Sequence, residues 1–331
     1  MCTNLTIAGK SKDYPMISAR TMDFPRELST SLHFIPRFQS FPEIPLPEEI
    51  RWENKYAFIG AVHALSGEIG YSDGLNEAGL SAAALWLDCS MYPKPAPPTP
   101  ILCNHNVVSY VLGNFDNVNK VKDELSKITV IDIGRPFATP LHFIFSDALG
   151  NHLIVEFIDG EMKTYKNNVG VLTNDPAFDW HLTNLRNYET LSLENNPKIS
   201  FDGEFYGSGQ LGSPGDPTSP SRFVRAELLR RSGFHPKNTQ QSIGLALQIL
   251  QTIAVPCGTV MMNGSYNEFD WTQWCIIRDH TNRSIYFNTD FNSTLYGIHL
   301  KELDVNGSER KSIDIIQPDW YVDVTKKLES V

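Results

Sequence analysis

The chain opens MCTNLTIAGKSKDYP over residues 1–15 and continues MISARTMDF over residues 16–24. Residues 4–7 and 15–21 are short β-prone runs, and Gly9-Lys10-Ser11-Lys12-Asp13 between them reads as a hairpin turn. The chain therefore begins inside a sheet, and the return strand brings Arg20 and Asp23 back beside residue 2. Removal of Met1 would make Cys2 the terminal residue, with a thiol and an α-amine on the same residue. An α-amine of pKa roughly 7.7 to 8.0 is partly unprotonated near neutral pH and able to take the thiol proton. A nucleophile would then carry its own base. Taken alone, a Met-Cys start reads first as an edge strand beginning with a small apolar residue, and the surroundings must carry the catalytic reading.

Further strand candidates are residues 32–35, 56–62, 141–145, 153–158 and 169–173, each bounded by turn residues. A late hairpin pairs residues 274–277 with 284–287 around Asp279-His280-Thr281-Asn282. Helical spacing runs through Val118, Val121, Leu125 and Ile128, through Phe178, Leu182, Leu185 and Tyr188, and through Ile243, Leu247, Leu250 and Ile253. Strands and helices come in blocks, not in strict βαβ alternation, which predicts an α+β fold of antiparallel sheets with helices on their outer faces. Residues 93–100 (PKPAPPTP) and 207–220 (GSGQLGSPGDPTSP) read as surface loops in preference to domain linkers, so one domain over residues 1–331 is expected.

With 331 residues, 41% hydrophobic and 20% charged, the chain can bury a large core. Its net charge of -10 and lack of a long Lys/Arg-rich stretch argue against a nucleic-acid partner. Five widely spaced cysteines without a C-x-x-C pair suggest a reducing compartment and no zinc site. The first residues lack the apolar stretch of a signal peptide and no segment approaches 18 uninterrupted apolar residues, so a cytoplasmic, non-membrane protein is expected.

MCTNLT followed by SARTMDF resembles the start of the choloylglycine hydrolase and penicillin V acylase family of linear amide C–N hydrolases. SDGLNEAGL at residues 72–80, VLTNDP at 171–176, and GSPGD at 212–216 through SRFVR at 221–225 resemble that family's other signatures, in order. The resemblance implies the four-layer αββα sandwich of N-terminal nucleophile hydrolases, two stacked antiparallel sheets flanked by helices. It also implies hydrolysis of a linear amide without a cofactor, and a homotetramer with the glycine-rich stretch around residues 190–216 as an assembly loop.

Carried over residue by residue, Cys2 matches the nucleophile, Asp23 the carboxylate that contacts the α-amine, and Arg20 the guanidinium beside the thiol, where a cation favours thiolate. Asn174 matches the side-chain donor to the oxyanion, and Arg222 the second catalytic arginine, with Arg225 left as structural. After NEAGLSAAAL the chain has Trp86 where bile-salt-cleaving members carry an asparagine. A second oxyanion donor must then be a backbone N–H, Trp86's own, while its indole adds a flat apolar wall. Phe24 and Met22 are candidates to line the same pocket.

That wall suits an aromatic or fatty acyl group, so the resemblance points first to penicillin V-like N-acyl amides. Conjugated bile salts and N-acyl homoserine lactones are the alternatives. A catalytically silent binding protein is the reading from another class. His63, His142, His152 and His181 are isolated from any metal-ligand spacing and read as structural, and no metal is expected.

Overall fold

The computed structural model describes residues 1–7, 15–43, 46–65, 68–95, 98–132, 134, 138–195, 200–201, 204–205, 209–262 and 268–329. In chain order the strands that build the two main sheets begin with β1 (Cys2–Ile7), β2 (Ile17–Phe24), β3 (Thr30–Ile35), β4 (Phe58–Leu65), β5 (Glu68–Asn76) and β6 (Ser81–Trp86). Helices α1 (Val107–Asn114) and α2 (Val118–Leu125) follow, then β7 (Leu141–Ser146), β8 (His152–Ile158), β9 (Glu161–Lys166) and β10 (Val171–Leu172). Next come α3 (Phe178–Leu185), α4 (Ser219–Ser232) and α5 (Thr239–Ile253). The last strands are β11 (Val260–Met261), β12 (Phe269–Asp279), β13 (Ser284–Thr289), β14 (Tyr296–His299) and β15 (Lys311–Asp314).

One antiparallel sheet runs β10-β1-β2-β12-β13-β14, with β11 paired to β12. The other runs β9-β8-β7-β6-β5-β4-β3-β15, again antiparallel throughout. Leu5 and Ile276 of the first sheet and Ile59, Leu75, Ala83 and Ile144 of the second share one buried apolar cluster, which Phe223 of α4 and Ile249 of α5 join from outside the first sheet. A second cluster joins Phe58, Ala82, Ala84 and Phe143 to Val107, Val111 and Val121 of α1 and α2. The layers are thus helices, sheet, sheet, helices, the αββα arrangement.

The strand expectations hold with shifted ends: β2 starts at Ile17 and runs on to Phe24, β4 covers Phe58–Leu65, β10 is only Val171–Leu172, and β12 begins at Phe269. The helical run through Tyr188 is α3 followed by a 3₁₀ turn, Arg186–Tyr188. The Gly9–Asp13 turn lies outside the described residues, as does part of the expected assembly loop. Residues 81–86 (SAAALW) carry no strand alternation, and alanine favours helices. They form β6 because both faces are covered: Ala82 and Ala84 lie in one cluster, Ala83 and Leu85 in the other. Among the described residues no helix is long and apolar enough to cross a membrane.

The NEAGL signature has a structural account. Asn76 Oδ1 accepts from the Ala78 and Leu80 N–H groups, and its Nδ2 donates to the Leu112 and Phe115 carbonyls, tying the β5–β6 turn to α1. Gly79 closes that turn at φ +86°, where an added Cβ would lie 2.7 Å from the His280 carbonyl. His280, in the β12–β13 turn, is fully buried; its Nδ1 meets the Gly79 carbonyl at 2.9 Å and its Nε2 the Ser18 hydroxyl at 2.8 Å.

Burial is the main reason the His280 pKa falls from its ordinary 6.5 to about 3. Between those values the unfolded chain binds a proton that the folded chain refuses, so this contribution is full above about pH 6.5 and is lost as pH falls toward 3. His280→Gln should flatten the dependence of unfolding free energy on pH between about pH 6 and 4 by up to about 1.4 kcal/mol per pH unit. Urea denaturation at a series of pH values measures it, and an unchanged slope would contradict a neutral buried ring.

Candidate active site

Alternation along β1 and β2 sorts the site onto two faces of the first sheet. Arg20, Met22 and Phe24 point between the sheets, where Arg20 meets Asp73 of β5 and Phe24 meets Trp86 of β6. Thr21 and Asp23 point toward the helices. The β1–β2 register pairs Cys2 with Met22, which places the Cys2 sulfur on the inter-sheet side. Cys2 Sγ lies 3.2 Å from Arg20 Nη2 and 3.7 Å from Met22 Sδ.

Arg20 is held by what lies behind it. Its Nη1 donates to the Ser72 carbonyl at 2.6 Å and approaches Asp73 Oδ2 at 3.4 Å, and Arg278 Nη1 reaches the same carboxylate oxygen at 3.2 Å. All three side chains are buried. Burial works against the Arg20 cation, yet Cys2 and Asp73 beside it carry its pKa above the ordinary arginine value. Two guanidiniums face one carboxylate, so the cluster has a surplus positive charge directed at the Cys2 sulfur.

Arg222, in the first turn of α4, binds the other face. Its Nε donates to the Pro217 carbonyl at 2.8 Å, Nη1 to the Cys2 carbonyl at 2.7 Å and to Thr3 Oγ1, and Nη2 to Asn174 Oδ1 at 2.8 Å. Asp23 Oδ2 lies 3.7 Å from Arg222 Nη1, and Asp23 Oδ1 accepts from Thr272 at 2.6 Å. Burial pushes the Asp23 carboxyl above the usual range, against the pull of Arg222 and the N-terminal amine.

Asn174 follows β10. Its main chain is pinned by the Ser219 hydroxyl, which accepts from its N–H at 2.9 Å, and by His181 Nε2, which meets its carbonyl at 2.8 Å. Asn174 Oδ1 accepts from the Cys2 N–H at 2.7 Å, and its Nδ2 donates to the Trp86 carbonyl at 2.7 Å, leaving a second N–H on that nitrogen. Trp86 stands opposite Leu141, whose N–H and carbonyl are taken by the Tyr92 and Ser90 side chains, not by Trp86. In an antiparallel strand the N–H and C=O of one residue face the same side. The Trp86 N–H therefore faces the side on which its carbonyl meets Asn174, the orientation the sequence required of a backbone donor.

Met1 is present, and its ammonium meets the Asp23 carbonyl at 2.7 Å and Asp270 Oδ2 at 3.1 Å. The expected contact between an amine and the Asp23 carboxylate is not made in this state, because Met1 extends the ladder by one residue and sets the amine one step further along β2. All eight residues singled out from the sequence converge here. A pocket opens beside Cys2; Met22, Phe24, Leu28, Ala84, Trp86 and Leu141 supply its apolar wall. Phe24 and Trp86 meet edge to face with centroids 6.5 Å apart.

His63 also lines the pocket, bonded to Thr30 at 3.0 Å and to Ser72, and burial, then Arg20, lowers its pKa to about 3. His142 pairs with Glu156 at 2.9 Å and meets the Thr173 carbonyl at 3.0 Å, and His152 meets the Ser146 hydroxyl at 2.9 Å. Arg225 donates to the Thr252 and Pro214 carbonyls, away from Cys2. No cluster of metal-ligating side chains occurs among the described residues. Asp73, Arg278, Thr272 and Asp270 were not singled out from the sequence. Asp73 lay inside a quoted signature, whereas the other three sit in a strand with no motif of its own.

A family model described as linear amide C–N hydrolases, choloylglycine hydrolase family, matches residues 2–313. The bile salt hydrolase/transferase of Clostridium perfringens is 30% identical over 326 residues, 94% of this chain and 96% of that one. The penicillin V acylase of Pectobacterium atrosepticum is 26% identical over 314 residues, 88% of this chain and 78% of the other. Among solved structures, a variant of the conjugated bile acid hydrolase from Clostridium perfringens aligns with a TM-score of 0.84 at 28% identity, covering 98% of this chain and 100% of that one. Penicillin V acylase from Agrobacterium tumefaciens aligns with a TM-score of 0.79 at 26% identity, covering 95% and 91%.

Arg222 joins β1, Asn174 and α4 while facing a buried carboxylate. Arg222→Met should therefore lower the free energy of unfolding by about 3 to 5 kcal/mol, because Asp23 is left buried without its partner. Urea unfolding of the two proteins measures the difference, and a loss below about 1 kcal/mol would contradict that role.

Proposed function

This chain belongs to the choloylglycine hydrolase family of linear amide C–N hydrolases, and on that premise we propose that Cys2, once Met1 is removed, is the nucleophile. The observation that carries the reading is the pairing at one residue: Cys2 Sγ 3.2 Å from the Arg20 guanidinium, and Cys2 N 2.7 Å from Asn174 Oδ1. Family membership sets aside the silent binding protein.

The α-amine takes the thiol proton and the sulfur attacks the amide carbonyl. Arg20 stabilises the sulfur anion. The oxyanion that forms accepts from the free N–H of Asn174 Nδ2 and from the Trp86 N–H. The protonated amine then gives its proton to the leaving nitrogen, the C–N bond breaks, and a thioester on Cys2 remains. Water, deprotonated by the same amine, attacks the thioester; the acid leaves and the thiol regains its proton. Arg222 and Asp23 hold Cys2, Thr3 and Asn174 in register for these steps.

For the substrate we favour penicillin V-like and other N-acyl amides with an aromatic or fatty acyl group, because Trp86 and Phe24 present apolar surface beside Cys2. Conjugated bile salts are the alternative, supported by the similarity to a bile salt hydrolase/transferase, and N-acyl homoserine lactones are a third class. We read the whole chain as one catalytic domain and as a cytoplasmic homotetramer.

Intact mass of the purified enzyme should be short by one methionine, and phenoxyacetyl and long-chain acyl amides should be turned over in preference to glycocholate, with no turnover by Cys2→Ser. Retained Met1 in an active protein would overturn the reading. Asn174→Ala should lower kcat by about 10²- to 10³-fold, the usual cost of one oxyanion donor. Steady-state kinetics on the preferred substrate decide it. Light scattering should give four times the chain mass, and a monomer would refute the assembly.

A further inference from the structure

Met1 extends the β1–β2 ladder by one step and shows what that step is built to hold. The Asp23 N–H donates to the Met1 carbonyl at 2.9 Å, while the Met1 ammonium meets the Asp23 carbonyl at 2.7 Å and Asp270 Oδ2 at 3.1 Å. Asp270 is only 4% exposed, and its Oδ1 has no partner. A backbone donor, a backbone acceptor and a buried carboxylate thus surround one aminoacyl unit. Removal of Met1 leaves all three facing a space one residue long, directly against the Cys2 nitrogen.

Amide hydrolysis delivers the leaving amine to the same place. Its nitrogen must come within about 2.6 to 3.2 Å of the Cys2 α-amine to receive a proton. The acyl half takes the apolar pocket bounded by Met22, Phe24, Leu28 and Trp86. Resting on the reading of Cys2 as nucleophile, we propose that the space vacated by Met1 is the subsite for the amine half of the substrate. It selects amides whose amine half has a carbonyl oxygen beside the reacting nitrogen and no anionic group within about one residue's length of it.

A carboxamide satisfies the three groups as Met1 does: its oxygen accepts from the Asp23 N–H, and its NH₂ donates to the Asp23 carbonyl and to Asp270. A carboxylate in the same place puts one oxygen on the Asp23 N–H and the other against two acceptors, one of them charged. The nearby cation does not compensate. Arg222 directs its donors to Pro217, Cys2, Thr3 and Asn174, and its charge is set against Asp23 and Asp270 together. Amides of amino-acid amides therefore fit, whereas N-acyl glycinates and short N-acyl sulfonates meet like charge.

The test is a matched pair with one acyl half, N-phenoxyacetylglycinamide and N-phenoxyacetylglycine, given to the processed enzyme and to Asp270→Asn. The wild-type enzyme should favour the glycinamide in kcat/KM by at least about tenfold, the scale of one like-charge contact near a protein surface. In Asp270→Asn the ratio should fall to within about twofold, through a gain on the glycinate. A wild-type ratio near one overturns the subsite even if the variant does not fold, and so does an unchanged ratio in a folded variant. Hydrolysis of neither compound, nor of any acyl amide in the wider panel, would instead overturn the assignment of Cys2, and the subsite with it.

Discussion

The site depends on the register of β1 against β2. Cys2 pairs with Met22 and Asn4 with Arg20, and alternation then sends the Cys2 sulfur and the Arg20 guanidinium to the same side of the sheet. A slip of one residue would turn Cys2 toward the helices and Thr3 toward Arg20. The register is held from three directions: apolar residues such as Leu5 and Ile17 lie in the buried cluster that α4 and α5 join, β10 pairs along the other edge of β1, and Arg222 grips the Cys2 carbonyl. Binding energy spread over a whole strand thereby orders a chain terminus, which is ordinarily the least ordered part of a domain.

Buried charge follows from that placement. Arg20, Asp73 and Arg278 sit between the sheets, and Asp23 and Arg222 sit between sheet and helix. Such groups are costly to bury and are weak evidence of stability for its own sake. Their value here is directional: Arg20 and Arg222 each have backbone and carboxylate partners that leave their remaining donors facing Cys2 and Asn174, while Arg278 donates to Asp73 and Asn4 and holds the shared carboxylate in place. The pocket on one side of Cys2 is apolar, while the step held by Met1 on the other side is polar. On the proposed reading the two halves of an amide meet environments of different chemistry.

Much of this was legible in the sequence. The β-prone run at residues 15–21 and the spacing in α2, α3 and α5 announced strands and amphipathic helices, and their block order implied antiparallel sheets under helical layers. The motif residues Cys2, Arg20, Asp23, Asn174 and Arg222 were nameable by resemblance, and they do converge. Residues 81–86 were not legible as a strand, because a run of alanines has no polar face to betray a sheet buried on both sides. The NEAGL run, a family signature, turns out to build a hairpin turn; its neighbours, Ser72 and Asp73 before it and Ala84 and Trp86 after it, reach the site.

The sequence by itself determined the composition of the layers, the thiol at position 2 and the residues that gather around it, because these depend on local periodicity and on residue types at recognisable positions. The tertiary structure decided which atoms face each other: that Asn174 accepts from the Cys2 nitrogen and binds the Trp86 carbonyl, that Asp73 is shared by two arginines, and that Asp270 meets the first residue from a strand 269 positions away. Contacts of that kind arise from sheet register and from the stacking of one sheet on another, both set by long-range packing, and a single strand's sequence carries no record of which neighbour it will meet.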